Sequence, residues 1–249
     1  MKSPFISIVI PVFNEEGSLG TLHEEIRDVC ERTDWKHEII FVNDGSTDWS
    51  TLAIDTIARG DTQHVRAIHF NANRGKALAL RAGFEAARGE IIITLDADLQ
   101  DDPREIPKLV SKLTLGYDLV SGWKQHRQDS FVKNQTSKIY NGVTSLASGV
   151  SLHDHNCGMK AYRKEVAQAI PLSGELHRYI PLLAGAQGCT RITEVSIRHR
   201  ARTTGVTKYG PSRFWYGITG LAQALSLAAD IKDSRLELDK APLYAFAQS

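Results

Sequence analysis

Cysteine is scarce in this 249-residue chain: Cys30, Cys157 and Cys189 stand far apart, in neither zinc nor redox-pair spacing. That excludes a cysteine-held metal and predicts reduced, structural thiols in a cytoplasmic protein. An excess of one charge is also missing. Thirty Lys and Arg face 29 Asp and Glu, for a formal net charge of +1, so no broad basic surface for nucleic acid exists and any basic site is local. No apolar run reaches the roughly 20 residues that cross a bilayer. The first such run, Phe5 to Val12, alternates like a strand, meets Asn14, Glu15 and Glu16 at once and lacks a small-residue cleavage site, so no signal peptide is expected. The later run, Phe214 to Ala229, contains Trp215, Tyr216, Thr219, Gln223 and Ser226 and stops at Asp230, the pattern of a packing or interfacial helix. Internal repeats, Gly/Ser linkers and a Gly-x-Gly-x-x-Gly turn after the first strand are absent, and the last absence excludes a dinucleotide site there.

What is present is an alternation. Ile- and Val-rich runs at Phe5 to Val12, Glu38 to Val42, Val65 to Phe70, Glu90 to Leu95 and Tyr117 to Ser121 read as strands, several apolar enough for burial on both faces. Leu19, Leu22, Ile26 and Val29 fall at helical spacing and predict a helix over 17–32. The Ala- and Leu-rich stretch 74–88 predicts another that closes at Gly89 as its C′ residue, and Asp48 is placed to cap a third running to Arg59. This order predicts an α/β fold with a mostly parallel sheet and helices on both faces. The second half is less regular. A helix over 131–146, a polar turn at His153 to Asn156, a strand over 159–162, a helix over 164–170 and a strand over 191–199 lead to a basic, Gly-containing loop over 200–213. We expect one domain over 1–213 and a helical extension over 214–249.

Ligands of such sheets bind outside the carboxyl ends of the strands, and there the chain gathers acids. The run Ile91 to Leu95 ends in Asp96, Asp98, Asp101 and Asp102. Asp96 and Asp98 are spaced to reach one hard divalent cation that shares its oxygen ligands with a substrate phosphate, and Gln100 offers a further carbonyl oxygen. Asp101 or Asp102 is expected to cap the helix that starts near Pro103. Asn43-Asp44-Gly45 forms a second polar rim, where an Asx turn is the alternative use of Asp44.

In order and spacing, SIVIPVFNEE, FVNDGSTD, NANRGKALALRAGFEAARGE and TLDADLQDDP resemble the nucleotide-sugar-binding half of inverting family 2 glycosyltransferases of the GT-A fold. The match covers about the first 125 residues. Asp-Ala-Asp-Leu-Gln followed later by a Gly-x-x-Lys-Tyr loop is similar to the polyprenyl-phosphate glycosyltransferases, the group of dolichyl-phosphate mannose synthase. The resemblance implies that Pro11, Phe13 and Glu15 line a nucleoside pocket and that Asp44 hydrogen-bonds the base or ribose. Arg74 and Lys76 would approach the nucleotide, with Gly75 letting the backbone come close. Asp96 would meet the ribose or a metal-bound phosphate, Asp98 a Mg²⁺ or Mn²⁺ ion, and Gln100 the shell of that ion. Singly, Phe13 reads equally well as core and Glu15 as a helix-start charge.

The implied reaction is displacement of a nucleoside diphosphate from a nucleotide sugar, with inversion at the anomeric carbon. A phosphate acceptor is already anionic and needs cations, whereas a hydroxyl acceptor needs a carboxylate base. Lys208, in the segment Thr204 to Gly210, is the first candidate cation, followed by Arg127 and Arg200, among Lys124, His126, Lys133, Lys138, Arg198 and Arg202. Asp154, in a turn with Asn156 near the expected donor sugar, and Glu175 are the candidate bases. His153 and His155 flank Asp154, and local hydrogen bonding is their expected use. Three functions stay open: hexose transfer to a polyprenyl phosphate, transfer to a hydroxyl of a glycan, lipid or small molecule, and non-catalytic nucleotide-sugar binding. The Gln-x-x-Arg-Trp motif of processive polymer synthases is absent. A lipid acceptor implies peripheral docking at the cytoplasmic membrane face, through 214–229.

Overall fold

The computed structural model describes residues 4–125, 145, 150–200 and 213–240. Seven strands form one sheet in the order β3-β2-β1-β4-β6-β5-β7: β1 (Phe5–Val12), β2 (Lys36–Asn43), β3 (Val65–His69), β4 (Ile91–Thr94), β5 (Leu119–Lys124), β6 (Lys160–Arg163) and β7 (Ile192–Ile197). β1 runs parallel to β2 and β4, β2 to β3, and β5 to β7, while β6 lies antiparallel between β4 and β5. All strands but β6 therefore share one direction. The chain moves outward from β1 to β3 and returns to β4 on the other side of β1. That reversal opens a crevice at the carboxyl ends of β1 and β4.

Strand alternation sorts the apolar residues onto two faces. Ile8, Ile10, Phe41 and Ile93 face one core with Leu22 and Ile26 of α1 (Leu19–Thr33), Ile54 of α2 (Ser50–Gly60) and Leu109 of α4 (Ile106–Thr114). Val9, Ile40, Val42 and Ile92 face the other, with Leu80 and Phe84 of α3 (Lys76–Ala86), Ala167 of α5 (Lys164–Ala169) and Leu183 of α6 (Ile180–Ala186). Each of these side chains is buried, and full burial of a large apolar side chain contributes about 1.5–3 kcal/mol. The mostly parallel α/β architecture expected from the sequence is the one observed.

Two local expectations are corrected. α3 ends at Ala86, with Ala87 extended, and Gly89 is not its C′ residue. Instead, a Cβ on Gly89 would lie 2.6 Å from the backbone nitrogen of Ser7, so the glycine permits a close crossing over β1. β5 begins two residues later than expected and runs on to Lys124, because its register with β7 continues from Leu119↔Ile192 to Lys124↔Ile197. The cap expected from Asp101 or Asp102 is supplied by Asp102, which accepts the Arg104 N–H at the 3-10 turn Pro103–Glu105. Asp48 does hold the start of α2, accepting the Ser50 N–H at 2.9 Å.

The last helix, α7 (Arg213–Lys240), lies against α6 and the preceding 3-10 turn Leu176–Tyr179. Gly220, Ala224 and Ala228, four residues apart, are buried there, and small side chains let the helices approach. Ala222, Gln223, Ser226, Ala229 and Asp230 point outward. Over 220–231 the large apolar side chains Leu221, Leu225, Leu227 and Ile231 are half-buried against the protein. Among the described residues, no helix is long and apolar enough to cross a membrane.

Candidate active site

The rim is built from loops that fasten one another. After β1, Asn14 takes a left-handed backbone (φ 53°) and its Oδ1 accepts the Thr47 N–H at 2.8 Å. The Glu15 N–H donates to Ser50 Oγ at 2.9 Å, and Glu16 accepts the Trp49 N–H at 2.6 Å. The turn carrying Phe13 and Glu15 is thereby stitched to the turn after β2. Pro11, Phe13 and Glu15 are all half-buried at this edge. Pro11 breaks no bond to β4, because the β1–β4 pairing ends at Val9↔Thr94.

Asp44 is buried, and its two carboxylate oxygens accept the backbone N–H groups of Arg74 at 2.7 Å and Gly75 at 2.9 Å. Burial raises its pKa, and those two donors act against the rise. Asp44 therefore shapes the loop that leads into α3. That loop crosses so close that a Cβ on Gly45 (φ +65°) would lie 2.3 Å from the carbonyl carbon of Ala72. Only glycine fits there without strain. Arg74 is exposed, with its guanidinium 5.9 Å from the Phe70 ring.

Lys76 opens α3, and its Nζ lies 2.5 Å from Asp96 Oδ1. The two side chains are 29% and 31% exposed, so the pair is open to a ligand. Gly158 packs against the same carboxylate: a Cβ there would lie 2.5 Å from Asp96 Oδ2. Thr94 Oγ1 donates to the Gly158 carbonyl at 2.7 Å, tying β4 to this turn. Asp98 Oδ1 accepts the Gln100 N–H at 3.2 Å across Leu99, whose φ is 60°. Asp98 and Gln100 are half-buried.

Behind the Lys76–Asp96 pair lies a cavity of about 20 Å³, lined by Thr94, Asn156, Lys160 and His177 among others, with room for a water molecule. Lys160 is 2% exposed and donates to the Cys157 carbonyl. Burial pushes its pKa down. Burial, followed by the charges of Lys76 and Arg178, holds His177 well below the usual imidazole range, so it is neutral. Sequence reasoning missed both residues as parts of this site. Lys160 carried no expectation beyond lying in a short strand, and its burial follows from the place of β6 between β4 and β5.

The remaining candidates fall elsewhere. Arg200 is held by Glu25 of α1 at 2.8 Å and by Asp102 at 2.7 Å, which commits its guanidinium to an ion network beside the Asp98 loop. Lys124, expected after the fifth strand, is its last residue and pairs with Asp101 at 2.7 Å. Asp154 is buried, with Oδ1 on the Asn156 N–H at 3.2 Å. Glu194 of β7 holds the backbone of His153 at 2.8 Å in the same turn, and His153 stacks on Trp123 with ring centroids 4.2 Å apart. His155 Nε2 bonds Ser145 Oγ at 2.8 Å. Glu175 pairs with Arg178 at 2.7 Å beneath α7. Arg127 and Lys208, with His126, Lys133, Lys138 and Arg202, lie outside the described residues.

Residues 7–170 match the family model described as glycosyl transferase family 2. The undecaprenyl-phosphate 4-deoxy-4-formamido-L-arabinose transferase of Pseudomonas fluorescens (strain Pf-5) is 40% identical over 209 residues, covering 84% of this chain and 61% of that protein. The dodecaprenyl-phosphate galacturonate synthase of Rhizobium johnstonii is 37% identical over 228 residues, covering 90% and 68%. The chain spans about three fifths of the length of the arabinose transferases it matches. Among solved structures, glucosyl-3-phosphoglycerate synthase from Mycobacterium tuberculosis, in complex with Mn²⁺, UDP and phosphoglyceric acid, superposes with a TM-score of 0.69 at 20% identity, covering 90% of this chain and 78% of that one. At that identity the likeness shows the fold alone, the GT-A form of the α/β architecture. With the family model spanning most of its length and the strand-end acids standing where the motifs placed them, this chain belongs to glycosyl transferase family 2.

Proposed function

We propose that this chain transfers a hexose from a UDP- or GDP-sugar to a polyprenyl phosphate, with inversion and with the aid of a divalent cation. The observation that carries the donor half is the half-exposed Lys76–Asp96 pair beside Asp98 in the crevice at the carboxyl ends of β1 and β4. The acceptor half is supported by the relatives, whose names specify undecaprenyl or dodecaprenyl phosphate.

Among the described residues, no three His, Cys, Asp or Glu side chains converge to hold a metal. Two half-buried carboxylates on one loop, Asp96 and Asp98, with the Gln100 amide nearby, are nonetheless the oxygen donors a hard cation prefers when substrate phosphates complete its shell. They fit Mg²⁺ or Mn²⁺ in that shared form. Such an ion supplies charge stabilisation to the departing diphosphate. Lys76 adds a second positive charge at the start of α3, where it can exchange Asp96 for a phosphate oxygen. Asp44 sets the backbone of Arg74 and Gly75 around the nucleotide, and Pro11, Phe13 and Glu15 form the facing wall.

A phosphate acceptor needs no general base. The positions of Glu175, tied to Arg178, and Asp154, buried and bonded to its own turn, support that reading over a hydroxyl acceptor. Lys208 and Arg127 are the proposed cations for the acceptor phosphate. The test is transfer of radiolabelled sugar from a panel of UDP- and GDP-sugars into a phosphorylated polyprenol, beside the unphosphorylated alcohol. Label only in the phosphorylated lipid supports the assignment, while label in the free alcohol, or in neither with nucleotide binding intact, overturns the acceptor.

A further inference from the structure

We propose that Asp101 is a positioning residue, the buried counter-ion that holds Lys124 and thereby reserves the Asp96 and Asp98 carboxylates for the divalent cation. The inference rests on the donor-site reading above. Asp101 lies three residues past Asp98 and is fully buried. Lys124 Nζ lies 2.7 Å from its Oδ1, with 10% of the lysine side chain exposed.

An antiparallel bridge to His199, made in part by the Arg200 N–H donated to the Gln100 carbonyl at 2.9 Å, holds Asp101 in that place. Leu99, with φ 60°, turns the chain between the two acids. One is left half-buried at the rim and the other is carried beneath it. His199 Nδ1, at 3.8 Å from the same Oδ1, adds a second nitrogen on the buried side.

Asp101 and Asp98 share one loop three residues apart, so the Lys124 ammonium, 2.7 Å from Asp101, sits beneath the acid rim, and the Asp96 charge helps to raise its pKa. A buried ammonium without a partner is strongly unfavourable, and the nearby alternative to Asp101 is the acid rim itself. Without Asp101, the Lys124 charge would act on Asp96 and Asp98 and oppose a divalent ion there. Lys76 differs, because its greater exposure lets it exchange partners when a diphosphate arrives. The Asp101–Lys124 pair is thus a fixed charge balance under the rim, whereas Lys76–Asp96 is an exchangeable one.

Mn²⁺ binding read from the electron paramagnetic resonance signal of the free ion, with UDP and separately with GDP present, tests this in four proteins. They are the wild type, Asp98→Ala, Asp101→Asn and Asp101→Asn/Lys124→Met, each checked for folding by thermal unfolding. Asp101→Asn is expected to weaken Mn²⁺ binding about tenfold or more, the scale of one unscreened charge near the site. The double variant, which removes both charges, is expected to recover to within about threefold of wild type. A support that is merely structural would not be restored by a second deletion. Folded Asp101→Asn with wild-type Mn²⁺ affinity, or a folded double variant no better than Asp98→Ala, overturns the proposal while leaving the cation site in place. Should Asp101→Asn not fold, the double variant alone decides. A wild type that binds no Mn²⁺ with either nucleotide overturns the cation reading itself, and the proposal with it.

Discussion

Asp96 is constrained from two sides at the scale of single residues. Lys76 takes one oxygen, and the missing side chain of Gly158 leaves room for the other. A methyl group at 158 would sit 2.5 Å from Asp96 Oδ2, and the carboxylate, as the movable party, must turn away. Gly158→Ala is therefore expected to lower transfer by about tenfold or more, the cost of misplacing a group in a site that works by positioning. The melting temperature should stay close to wild type, since Gly158 has no left-handed backbone to strain. Wild-type transfer by this variant, measured with the labelled-sugar assay, would show that Asp96 does not need its present position. Residue types alone did set Asp96 and Asp98 at the end of β4 apart from the two acids that follow, but they did not separate Asp101, buried on Lys124, from the capping Asp102. That separation depends on the strand partner of Asp101, His199, which is 98 positions away in the chain.

Close approach, at the scale of elements, decides where glycine is required. α3 lies so near β1 that a Cβ on Gly83 would fall 2.2 Å from Val9 Cγ1, and Gly89 meets the backbone of Ser7 at 2.6 Å. The neighbours of Gly89 are backbone atoms that cannot swing aside. Gly89→Ala is expected to destabilise the protein by about 1–3 kcal/mol, the usual cost of overpacking. Gly17→Ala, with nothing within 4 Å of its added methyl, should change stability little. Urea unfolding of the two variants checks the contrast, and equal stabilities would contradict the close crossing. The strands and helices of the first half were legible because their periodicity is strong and their loops are short. Gly89 was misread because a glycine after an Ala-rich helix also fits a C′ residue, and the choice depends on a strand 82 positions earlier. Lys124 was expected beyond its strand and Lys160 carried no expectation, because burial of a lysine is decided by neighbouring strands. β6 enters antiparallel between β4 and β5, a pairing that no local pattern announces.

Across the whole molecule, buried titratable groups set the response to acid. Burial pushes His155 down from the usual 6.5 to about 4, so the folded protein keeps it neutral while the unfolded chain takes a proton. His37 and His177 are lowered for the same reason. Their contribution to stability is present above about pH 6.5 and is lost as pH falls toward 4. Glu38, Asp61, Asp101 and Asp102 are held below the ordinary carboxylate range by their hydrogen-bond and ion-pair partners, against the opposing effect of burial. Those carboxylates add a second loss below about pH 4. Asp44, raised by burial, works in the opposite sense but is one group against five, Asp48 being lowered as well. The melting temperature is expected to fall steadily from pH 7 to pH 4, and a flat or rising profile over that range would contradict the burial of these imidazoles.

The fold brings three loops from distant parts of the chain to one crevice, which in the proposed function binds the nucleoside diphosphate of a sugar donor together with a cation. Calorimetric titration of UDP and GDP, with and without Mn²⁺, into wild type and Asp98→Ala tests it most directly. Binding of one nucleotide that tightens with Mn²⁺ in the wild type, and loses that gain in Asp98→Ala, is the expected result. Binding of neither nucleotide, or an equal Mn²⁺ gain in both proteins, would contradict the placement of the donor and its cation at Asp96 and Asp98.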